Sequence, residues 1–350
     1  MNPFLEEDIS RVAHSPILAQ LPAGSSIFIT GATGLIGSLL VRSLLASDQK
    51  IRVIAPVRNL EKAKTVFGGL QHCGRLVLFL GENSQKLDIE EKIDYIIHCA
   101  SPTGSRYFVE HPAKTIASIL DGTRNIMELA RQKQVKKVIF LSSLEVYGVP
   151  DPSKPTVGET DYGYLDPMQV RSSYSEGKRM AECICVSYWK EYGVPVTVAR
   201  LSQTFGPGVS YDDGRVFAEF ARCALEGREI ILRTQGNTLR SYCYTADAVL
   251  AILTLLIAGK PGEAYNVTNM DTAITIRDMA QLVCSLVPEK KIRVRFELPA
   301  NLDAFGYNPE TVIRLDSRKL QHLGWQPTTA LPEMFLRLMG SMISTPGEKP

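Results

Sequence analysis

The sequence predicts an α/β protein in which a doubly wound parallel sheet is followed by a smaller C-terminal lobe. One observation is a series of apolar runs without strict polar–apolar alternation, as expected of strands that are buried on both faces. These runs occupy residues 26–30, 51–57, 76–80, 95–100, 137–143 and 195–202. A second observation is that helical patterns fill the gaps, most clearly at 112–133 and 173–192. Repeated strand–helix units of this kind build a parallel sheet with helices on both faces.

The order of the elements predicts four regions. Residues 1–24 form an N-terminal arm, either a short helix packed on the domain or a partly disordered segment. Residues 25–203 form the sheet domain, and residues 204–340 form mainly a substrate-binding lobe that is interleaved with the sheet. A tail, 341–350, ends the chain, and it is expected to be frayed from Thr345. Within the lobe, shorter elements are predicted at 216–226, 229–233, 244–258, 275–286 and 331–340.

The composition excludes several classes of protein. The chain has 350 residues, of which 45% are hydrophobic and 22% charged, and its formal net charge is +2. It therefore lacks the basic excess of a nucleic-acid or membrane-surface binder. The longest apolar stretch, 249–258, is well short of the ~20 residues of a membrane-spanning helix. The acidic N-terminus lacks the pattern of a secretory signal. We expect neither a nucleic acid nor a membrane as partner.

The cysteines predict a reducing environment. Seven of them, an odd number, are scattered from Cys73 to Cys284 without the spacing of a disulfide framework. The five histidines are equally dispersed, so we expect no metal site. Free thiols in the cytoplasm are the interpretation that this pattern favours.

A glycine-rich turn is the most informative motif. The apolar run 26–30 leads directly into Gly31, Gly34 and Gly37, and an apolar helical pattern follows. Such glycines permit a sharp strand exit, a close approach of the backbone to a pyrophosphate, and tight packing of helix on strand. Phosphates are favoured there because free N–H groups and the helix dipole meet them. The turn predicts a Rossmann-type dinucleotide site, with contacts from Gly31, Thr33, Gly34, Leu35, Ile36 and Gly37.

The end of the second strand bears on the choice between NAD and NADP. An NAD-specific site usually places an acidic residue about twenty positions after the glycines. Here Arg58 follows the strand, and its planar guanidinium suits a 2′-phosphate. This favours NADP; the alternative is that Arg58 is a solvated loop residue and that NAD binds.

Tyr174 and Lys178 are four residues apart on a predicted helix and therefore share a face. A free phenol is a poor base at neutral pH, but a nearby ammonium and an oxidised nicotinamide both lower its pKa. Ser143 ends a preceding strand, at the sheet edge where ligands of parallel sheets bind. The three residues predict an oxidoreduction site; the alternative for Ser143 is a hydroxyl that caps local backbone.

With these residues the chain resembles the extended short-chain dehydrogenases/reductases that modify nucleotide sugars, over about residues 25–340. Within them it is most similar to the UDP-glucuronate decarboxylases, which are relatives of the dTDP-glucose 4,6-dehydratases and the UDP-sugar 4-epimerases. The resemblance is carried by the segments 31–37, 98–102, 112–116, 122–125, 145–148, 174–179, 204–207, 213–216 and 323–327.

The resemblance implies a mechanism through a 4-keto sugar. Tyr174 would take the proton of the sugar 4-hydroxyl while a hydride passes to the nicotinamide, which is recycled. Ser143 would share the hydrogen bond, Lys178 would hold Tyr174 and the nicotinamide ribose, and Glu145 would act as acid or base. The alternative for Glu145 is a solvated strand-end carboxylate.

The resemblance also implies binding residues and a homodimer formed through a four-helix bundle of 112–133 and 173–192. The further cofactor contacts are Cys99, Ala100, Ser101, Thr115, Thr204 and Arg215. The substrate contacts are Lys114, Ser143, Gln203, Arg215 and Arg240, of which Arg215 and Arg240 could instead be surface arginines.

Four positions depart from the pattern of these enzymes. Leu144 stands where the dehydratases carry an aspartate and the decarboxylases a small hydroxyl residue, and Ile119 and Gln203 each replace an asparagine. Arg58 replaces the acidic residue of the NAD site. Decarboxylation, 4-epimerisation, dehydratase-type chemistry and an NADPH-dependent keto-sugar reductase stay open, as does a non-catalytic dinucleotide sensor.

Overall fold

The computed structural model describes residues 2–298 and 310–343. Its strands, in chain order, are β1 (Ser26–Thr30), β2 (Arg52–Val57), β3 (Leu76–Leu80), β4 (Tyr95–His98), β5 (Lys137–Ser143), β6 (Val196–Leu201), β7 (Gln203–Phe205), β8 (Ile230–Leu232), β9 (Leu239–Tyr244), β10 (Ala264–Val267), β11 (Asn269–Thr275), β12 (Val294–Phe296) and β13 (Val312–Ile313). Its helices are α1 (Pro3–Ala13), α2 (Leu35–Ala46), α3 (Leu60–Phe67), α4 (Ser105–Glu110), α5 (Pro112–Lys133), α6 (Ser172–Tyr192), α7 (Val216–Glu226), α8 (Thr245–Ala258), α9 (Ile276–Ser285), α10 (Arg318–Gln321) and α11 (Leu331–Ile343).

A parallel sheet in the order β10-β6-β5-β4-β1-β2-β3 forms the centre of the molecule. Its faces are both buried: Ile27 and Ile29 of β1 lie in one apolar cluster, with residues of α2 and α8. Phe28 lies in the other, with residues of α5 and α6. The predicted doubly wound Rossmann-type sheet is therefore confirmed. Because the strand order reverses between β1 and β4, a crevice is expected where the carboxyl ends of these two strands diverge.

The sheet includes one strand that the sequence analysis did not predict. β10 pairs with β6 in parallel, with Tyr265 opposite Ala199, and it comes from residues beyond 203. β10 has only four residues and follows a turn, so it lacks the long apolar run of the inner strands. Residues on both sides of position 203 therefore contribute strands to the central sheet.

The smaller sheets lie in the C-terminal half of the described chain. In one, β9 pairs with β11, β13 and β7, and in the other β8 pairs with β12. β7 follows β6 after a single residue, so this second sheet begins at the carboxyl edge of the central one. The division into a sheet domain and a substrate-binding lobe stays a prediction.

The N-terminal arm is a helix, α1, that is tied to the core by polar contacts. Asp8 is buried and accepts a hydrogen bond of 2.7 Å from the Tyr244 hydroxyl. Arg337 of α11 pairs with the same carboxylate at 3.2 Å, and Arg11 pairs with the buried Asp247. The helical alternative predicted for this arm is thus the one observed.

The predicted tail, 341–350, is described only as far as residue 343, where it continues α11; the rest lies outside the described residues. Among the residues that the structure describes, we find no helix with the length and apolar character needed to span a membrane.

Candidate active site

The glycine turn forms a cradle in which backbone approaches backbone. Gly31 follows β1 with φ at 67°, and a Cβ on it would lie 2.9 Å from the Ala100 nitrogen. A Cβ on Gly37 would lie 2.2 Å from the Gly31 carbonyl oxygen. Gly34 precedes α2 as its N-cap and provides no side-chain cap, so the first N–H groups of this helix are left for a ligand. These features fit the pyrophosphate of a dinucleotide, as predicted.

Replacing Gly37 with alanine is expected to destabilise the protein by about 1–3 kcal/mol and to weaken dinucleotide binding, because the methyl group would force β1 and α2 apart. Urea unfolding and calorimetric titration with NAD measure the two effects. Gly69→Ala is the control, since a Cβ on Gly69 meets no atom within 4 Å. Equal stability of the two variants would contradict the close packing of this turn.

The loop after β4 is held beside the glycine turn. The Thr30 hydroxyl lies 2.6 Å from His98 Nδ1 and accepts a hydrogen bond of 3.1 Å from the Ala100 N–H. Burial, with a smaller contribution from Lys178, lowers the pKa of His98 to about 3, so this imidazole is neutral. Cys99, Ala100 and Ser101 are half-buried in this loop. Cys99 and Ala100 lie against Gly31, and the cofactor contacts of this loop stay a prediction.

Tyr174 and Lys178 lie on one face of α6 at the carboxyl end of β5. The Lys178 ammonium donates a hydrogen bond of 2.8 Å to the Leu141 carbonyl and lies 5.9 Å from the centre of the Tyr174 ring. Burial lowers the pKa of Lys178 to about 8. The Tyr174 ring stacks on Phe108 of α4, with ring centres 4.3 Å apart. The structure thus brings the predicted tyrosine and lysine together.

Burial dominates the ionisation of Tyr174. Burial and, to a smaller extent, the negative charge of Glu145 act to raise the pKa of this phenol, which is about 12 in the protein alone. The Ser143 hydroxyl, the Arg171 charge and the Ser101 hydroxyl act in the opposite direction. The expected effect of the Lys178 ammonium does not overcome burial in the protein alone. The positive charge of an oxidised nicotinamide beside the ring would favour the phenolate.

Ser143 and Glu145 occupy the turn that follows β5. The Ser143 hydroxyl accepts a hydrogen bond of 3.2 Å from the Glu145 N–H and caps the short helix 144–147. Ser143 therefore has the local capping role considered above as well as its position beside the phenol. The Glu145 carboxylate accepts a hydrogen bond of 3.3 Å from the Ser175 hydroxyl and pairs with Arg171 at 3.4 Å. These two contacts fix the position of the Glu145 carboxylate in the site.

Three contacts of this site escaped the sequence analysis, namely those of Phe108, Arg171 and Ser175. Arg171 lies three residues before Tyr174, which is the spacing of side chains on one helix face. That spacing could have identified it. Phe108 had no such signal, because its contact with Tyr174 joins segments that are distant in the sequence.

Two of the departures from the resembled enzymes have a packing role. Leu144 is 3% exposed and lies in a buried cluster with Val146, Tyr147, Val157, Ile313 and Leu315. Its apolar side chain therefore supplies neither a hydroxyl nor a carboxylate to the site. Ile119 of α5 packs against α6 so closely that a Cβ on Gly177 would lie 3.2 Å from its side chain. An apolar contact thus stands where those enzymes have an asparagine.

The predicted diphosphate-binding cations occupy different surroundings. Arg215 pairs with Asp213 at 2.7 Å and lies over the Phe217 ring. Arg240 is half-buried and donates hydrogen bonds to the Leu239 and Thr311 carbonyls. It also interacts electrostatically with Glu145. Lys114 is exposed, and the structure shows no contact between it and the catalytic residues among the described part of the chain. Arg240 is the one of the three that the structure links to Glu145.

Two of the remaining residues predicted to contact the cofactor have hydroxyls that already form hydrogen bonds with the backbone. The Thr115 hydroxyl donates 2.9 Å to the His111 carbonyl, and the Thr204 hydroxyl donates 3.0 Å to the Ser202 carbonyl. Gln203 is half-buried opposite Tyr242. Arg58 is exposed at the end of β2, next to Asn59, which caps α3. Thr33, Leu35 and Ile36 are half-buried around the start of α2.

The described residues contain no group of three or more His, Cys, Asp or Glu side chains that could hold a metal ion. The site around the glycine turn contains the hydroxyls of Ser143 and Tyr174, the carboxylate of Glu145 and the ammonium of Lys178. Such a set can move a proton on a sugar hydroxyl next to a hydride acceptor.

Comparison with solved structures supports the fold. The chain superimposes on UDP-glucose 4-epimerase from Thermotoga maritima with a TM-score of 0.76, at 23% identity, covering 91% of this chain and 98% of that one. For dTDP-glucose 4,6-dehydratase from Bacillus anthracis, solved in complex with NAD, the TM-score is 0.75, at 21% identity, covering 92% and 98%.

Comparison with curated proteins goes further. UDP-glucuronic acid decarboxylase 3 from Arabidopsis thaliana is 31% identical over 308 residues, covering 88% of this chain and 86% of that protein. UDP-glucuronic acid decarboxylase 1 from Danio rerio is 32% identical, covering 88% and 70%. The family model of the NAD dependent epimerase/dehydratase family matches residues 27–268. The chain belongs to the NAD dependent epimerase/dehydratase family.

Proposed function

We propose that this protein is a nucleotide-diphosphate-sugar enzyme that oxidises C4 of its substrate and decarboxylates a uronic acid, with NAD or NADP recycled. The observation that carries the proposal is the convergence of Tyr174, Ser143, Glu145 and Lys178 beside the glycine cradle. Identity of about 30% to UDP-glucuronic acid decarboxylases over 88% of the chain supports the substrate class.

In this proposal Tyr174 removes the proton of the 4-hydroxyl, and Ser143 donates a hydrogen bond to the same oxygen. Lys178 is held by Leu141, which fixes it beside Tyr174 and the cofactor. The turn of Gly31, Gly34 and Gly37 would hold the dinucleotide, which would supply reversible hydride transfer at C4. With a ketone at C4, a carboxylate on C5 is a β-keto acid, and its carbon–carbon bond breaks to release carbon dioxide. The electron pair stays on the enolate, and Glu145 or a water that it orients supplies the proton to C5.

Epimerisation at C4 is the second candidate, and the burial of Leu144 favours it. The side chain of this residue lies in an apolar cluster, so the position cannot supply the hydroxyl of the decarboxylases or the carboxylate of the dehydratases. An epimerase needs neither group, because it returns the hydride to the opposite face of the ketone. Dehydration is the chemistry that this residue disfavours most.

Product analysis decides among these reactions. The purified protein is incubated with UDP-, dTDP-, GDP- and CDP-sugars, including uronates. The masses of the products are then measured by mass spectrometry. Loss of carbon dioxide from a uronate supports the proposal, unchanged mass with a new sugar configuration indicates epimerisation, and loss of water indicates dehydration. A stoichiometric change in nicotinamide absorbance would instead identify a keto-sugar reductase, and the absence of any turnover would favour a dinucleotide sensor.

We propose that Arg58 makes NADP the preferred dinucleotide. The residue is exposed at the end of β2, where an NAD site has its acidic residue, and the structure describes no ion pair that competes for it among residues 2–298 and 310–343. Arg58→Asp is expected to weaken NADP binding about tenfold, since a charged hydrogen bond is lost, and to leave NAD binding equal or stronger. Calorimetric titration measures both affinities, and Arg293→Asp controls for charge. An unchanged NADP affinity would show that Arg58 is a solvated loop residue that does not bind the cofactor.

A homodimer through α5 and α6 is part of the proposal. The outer faces of these helices expose Ile116, which is 40% accessible, and Met180, which is 52% accessible. The variant Ile116→Asp/Met180→Asp is expected to shift a dimer toward monomers in light scattering, because charges would be buried at the interface. If light scattering gives the same molar mass for the wild type and the double variant, this interface is contradicted.

We also propose a cytoplasmic location and the substrate-binding role of residues 204–340. All seven cysteines lie in the described part of the chain and are free thiols, which supports a reducing environment. Arg215 and Arg240, the candidates for the diphosphate, both come from that region.

A further inference from the structure

We infer that Arg171 is a positioning residue of the active site, whose guanidinium offsets the negative charge of Glu145 beside the Tyr174 phenol. The inference rests on the proposed role of Tyr174 as the base. It is supported by the contacts of Phe108 with Arg171 and Tyr174 and by the ion pair of Arg171 with Glu145.

The guanidinium of Arg171 contacts both Glu145 and Phe108. Its Nη2 lies 3.4 Å and 3.5 Å from the two oxygens of Glu145. Its guanidinium carbon lies 4.9 Å from the centre of the Phe108 ring. Phe108 in turn stacks on Tyr174 at 4.3 Å, with an interplanar angle of 11°. Phe108 therefore contacts both the guanidinium of Arg171 and the ring of Tyr174.

A carboxylate and a phenolate in one buried pocket repel each other. In this site the negative charge of Glu145 acts to raise the pKa of the Tyr174 phenol. The positive charge of Arg171 acts to lower it. The other charged group on α6 that faces Tyr174 is Lys178, which is held at the Leu141 carbonyl. From β9, Arg240 feels the charge of Glu145, but its Nη1 is bonded to the Leu239 and Thr311 carbonyls. Ser143 and Ser101 contribute hydroxyls without charge. Among the residues that the structure describes, Arg171 is the cation that pairs directly with the Glu145 carboxylate.

One donor of Arg171 is left without a partner in the described part of the chain. Its Nη1 is buried and has no hydrogen-bond partner among the described residues. A buried unpaired donor costs about 1–3 kcal/mol. Within the same described residues the Nη1 of Arg75 is also unpaired, although its Nη2 donates to the Leu45 carbonyl at 2.6 Å. The role of Arg171 therefore rests on its contacts with Glu145 and Phe108.

The test is the titration of the Tyr174 phenol in the full-length protein saturated with NAD and without a sugar substrate. The near-ultraviolet absorbance of phenolate is recorded against pH, and the same curve for Tyr174→Phe in each background is subtracted. Arg171→Met is expected to raise the pKa of Tyr174 by about one unit, because an opposite charge at this range is lost. Glu145→Gln is expected to lower it by about as much, and Arg171→Met/Glu145→Gln to return it close to the wild-type value.

Two further variants separate charge from structure. Arg171→Lys keeps the charge and is expected to hold the titration near that of the wild type. Arg124→Met, which removes an exposed arginine of α5, controls for net charge and is expected to change nothing. A folded Arg171→Met with an unshifted titration would overturn the inference. Should Arg171→Met not fold, an unshifted titration in Glu145→Gln would overturn it, because there would be no carboxylate effect to offset.

The outcome is independent of the reaction that the enzyme performs. A product other than that of decarboxylation would overturn the proposed function and leave the titration unaffected. If Tyr174 titrates as described but Tyr174→Phe turns over normally, the assignment of the base fails and the charge relation among the three residues remains. With both proposals correct, Arg171→Met lowers kcat about tenfold at neutral pH for each unit of pKa, and high pH restores the rate.

Discussion

Replacing Tyr174 with phenylalanine is expected to lower turnover by about 10³-fold, because the variant loses the group that removes the proton of the 4-hydroxyl. Cofactor binding is expected to change little. The phenyl ring retains the stacking on Phe108 at 4.3 Å, and Lys178 keeps its hydrogen bond to Leu141. Steady-state rates with the substrate identified by product analysis measure the first effect, and calorimetric titration with NAD measures the second.

The matched control is Tyr188→Phe on the same helix. Tyr188 packs edge-to-face on Tyr192 and lies away from the Phe108 stack, so loss of its hydroxyl is expected to leave turnover within about twofold of the wild type. Thermal unfolding of both variants shows whether the fold is retained. Normal turnover of a folded Tyr174→Phe variant would remove this tyrosine from the mechanism.

The pH dependence of the reaction follows from the burial of Tyr174. In the protein alone burial raises the pKa of the phenol to about 12, so the neutral form prevails at physiological pH. The neutral form cannot accept a proton, and turnover is therefore expected to rise with pH on the acid limb of the profile. Because the positive charge of oxidised nicotinamide favours phenolate, the midpoint in the cofactor complex is expected below 12.

Local patterns in the sequence were sufficient to predict the parts of the fold that are continuous in the chain. The inner strands, the glycine turn and the two long helices have patterns of their own, and the structure places α5 at the predicted residues 112–133. β10 was missed because four residues, 264–267, show no usable period. Its strand character comes from pairing with β6, a contact that local propensity does not encode.

The candidate site divides in the same way. Tyr174 and Lys178 could be paired from the sequence because a helix brings residues four apart onto one face. The raised pKa of Tyr174 could not be predicted, since it depends on burial under Phe108 and on the charges of Glu145 and Arg171. The packing of Leu144 in an apolar cluster depends likewise on Ile313 and Leu315, which lie far along the chain.

A buried ion pair behind the site is expected to have the largest effect on stability. Arg200 of β6 and Glu182 of α6 pair at 2.6 Å, and their side chains are 1% and 10% exposed. The Ser142 hydroxyl donates 2.5 Å to the same carboxylate, and Arg200 also donates to the Tyr147 hydroxyl at 3.0 Å. The pair therefore fixes β5 and the turn after it, next to Ser143, against the catalytic helix.

Replacing Glu182 with glutamine is expected to reduce the free energy of unfolding by about 3–5 kcal/mol, because it leaves the Arg200 charge buried without its counter-ion. Urea unfolding measures the change. Glu182→Leu/Arg200→Met removes both charges and is expected to recover much of the loss, since an apolar pair of similar volume avoids the desolvation of ions. Turnover of the double variant is expected to stay reduced, because Ser142 and Tyr147 lose the partners that position the turn of Glu145.

Glu128→Gln on α5 is the control for the loss of an ion pair as such. Glu128 pairs with Arg131 at 2.6 Å, but the two side chains are 35% and 45% exposed, so the expected change is about 0–1 kcal/mol. Two ion pairs of equal length then differ in effect because water solvates the partner left behind in one case and not in the other. A change in Glu182→Gln as small as that in Glu128→Gln would mean that water reaches Arg200, and the network would lose its role in holding the catalytic strand end.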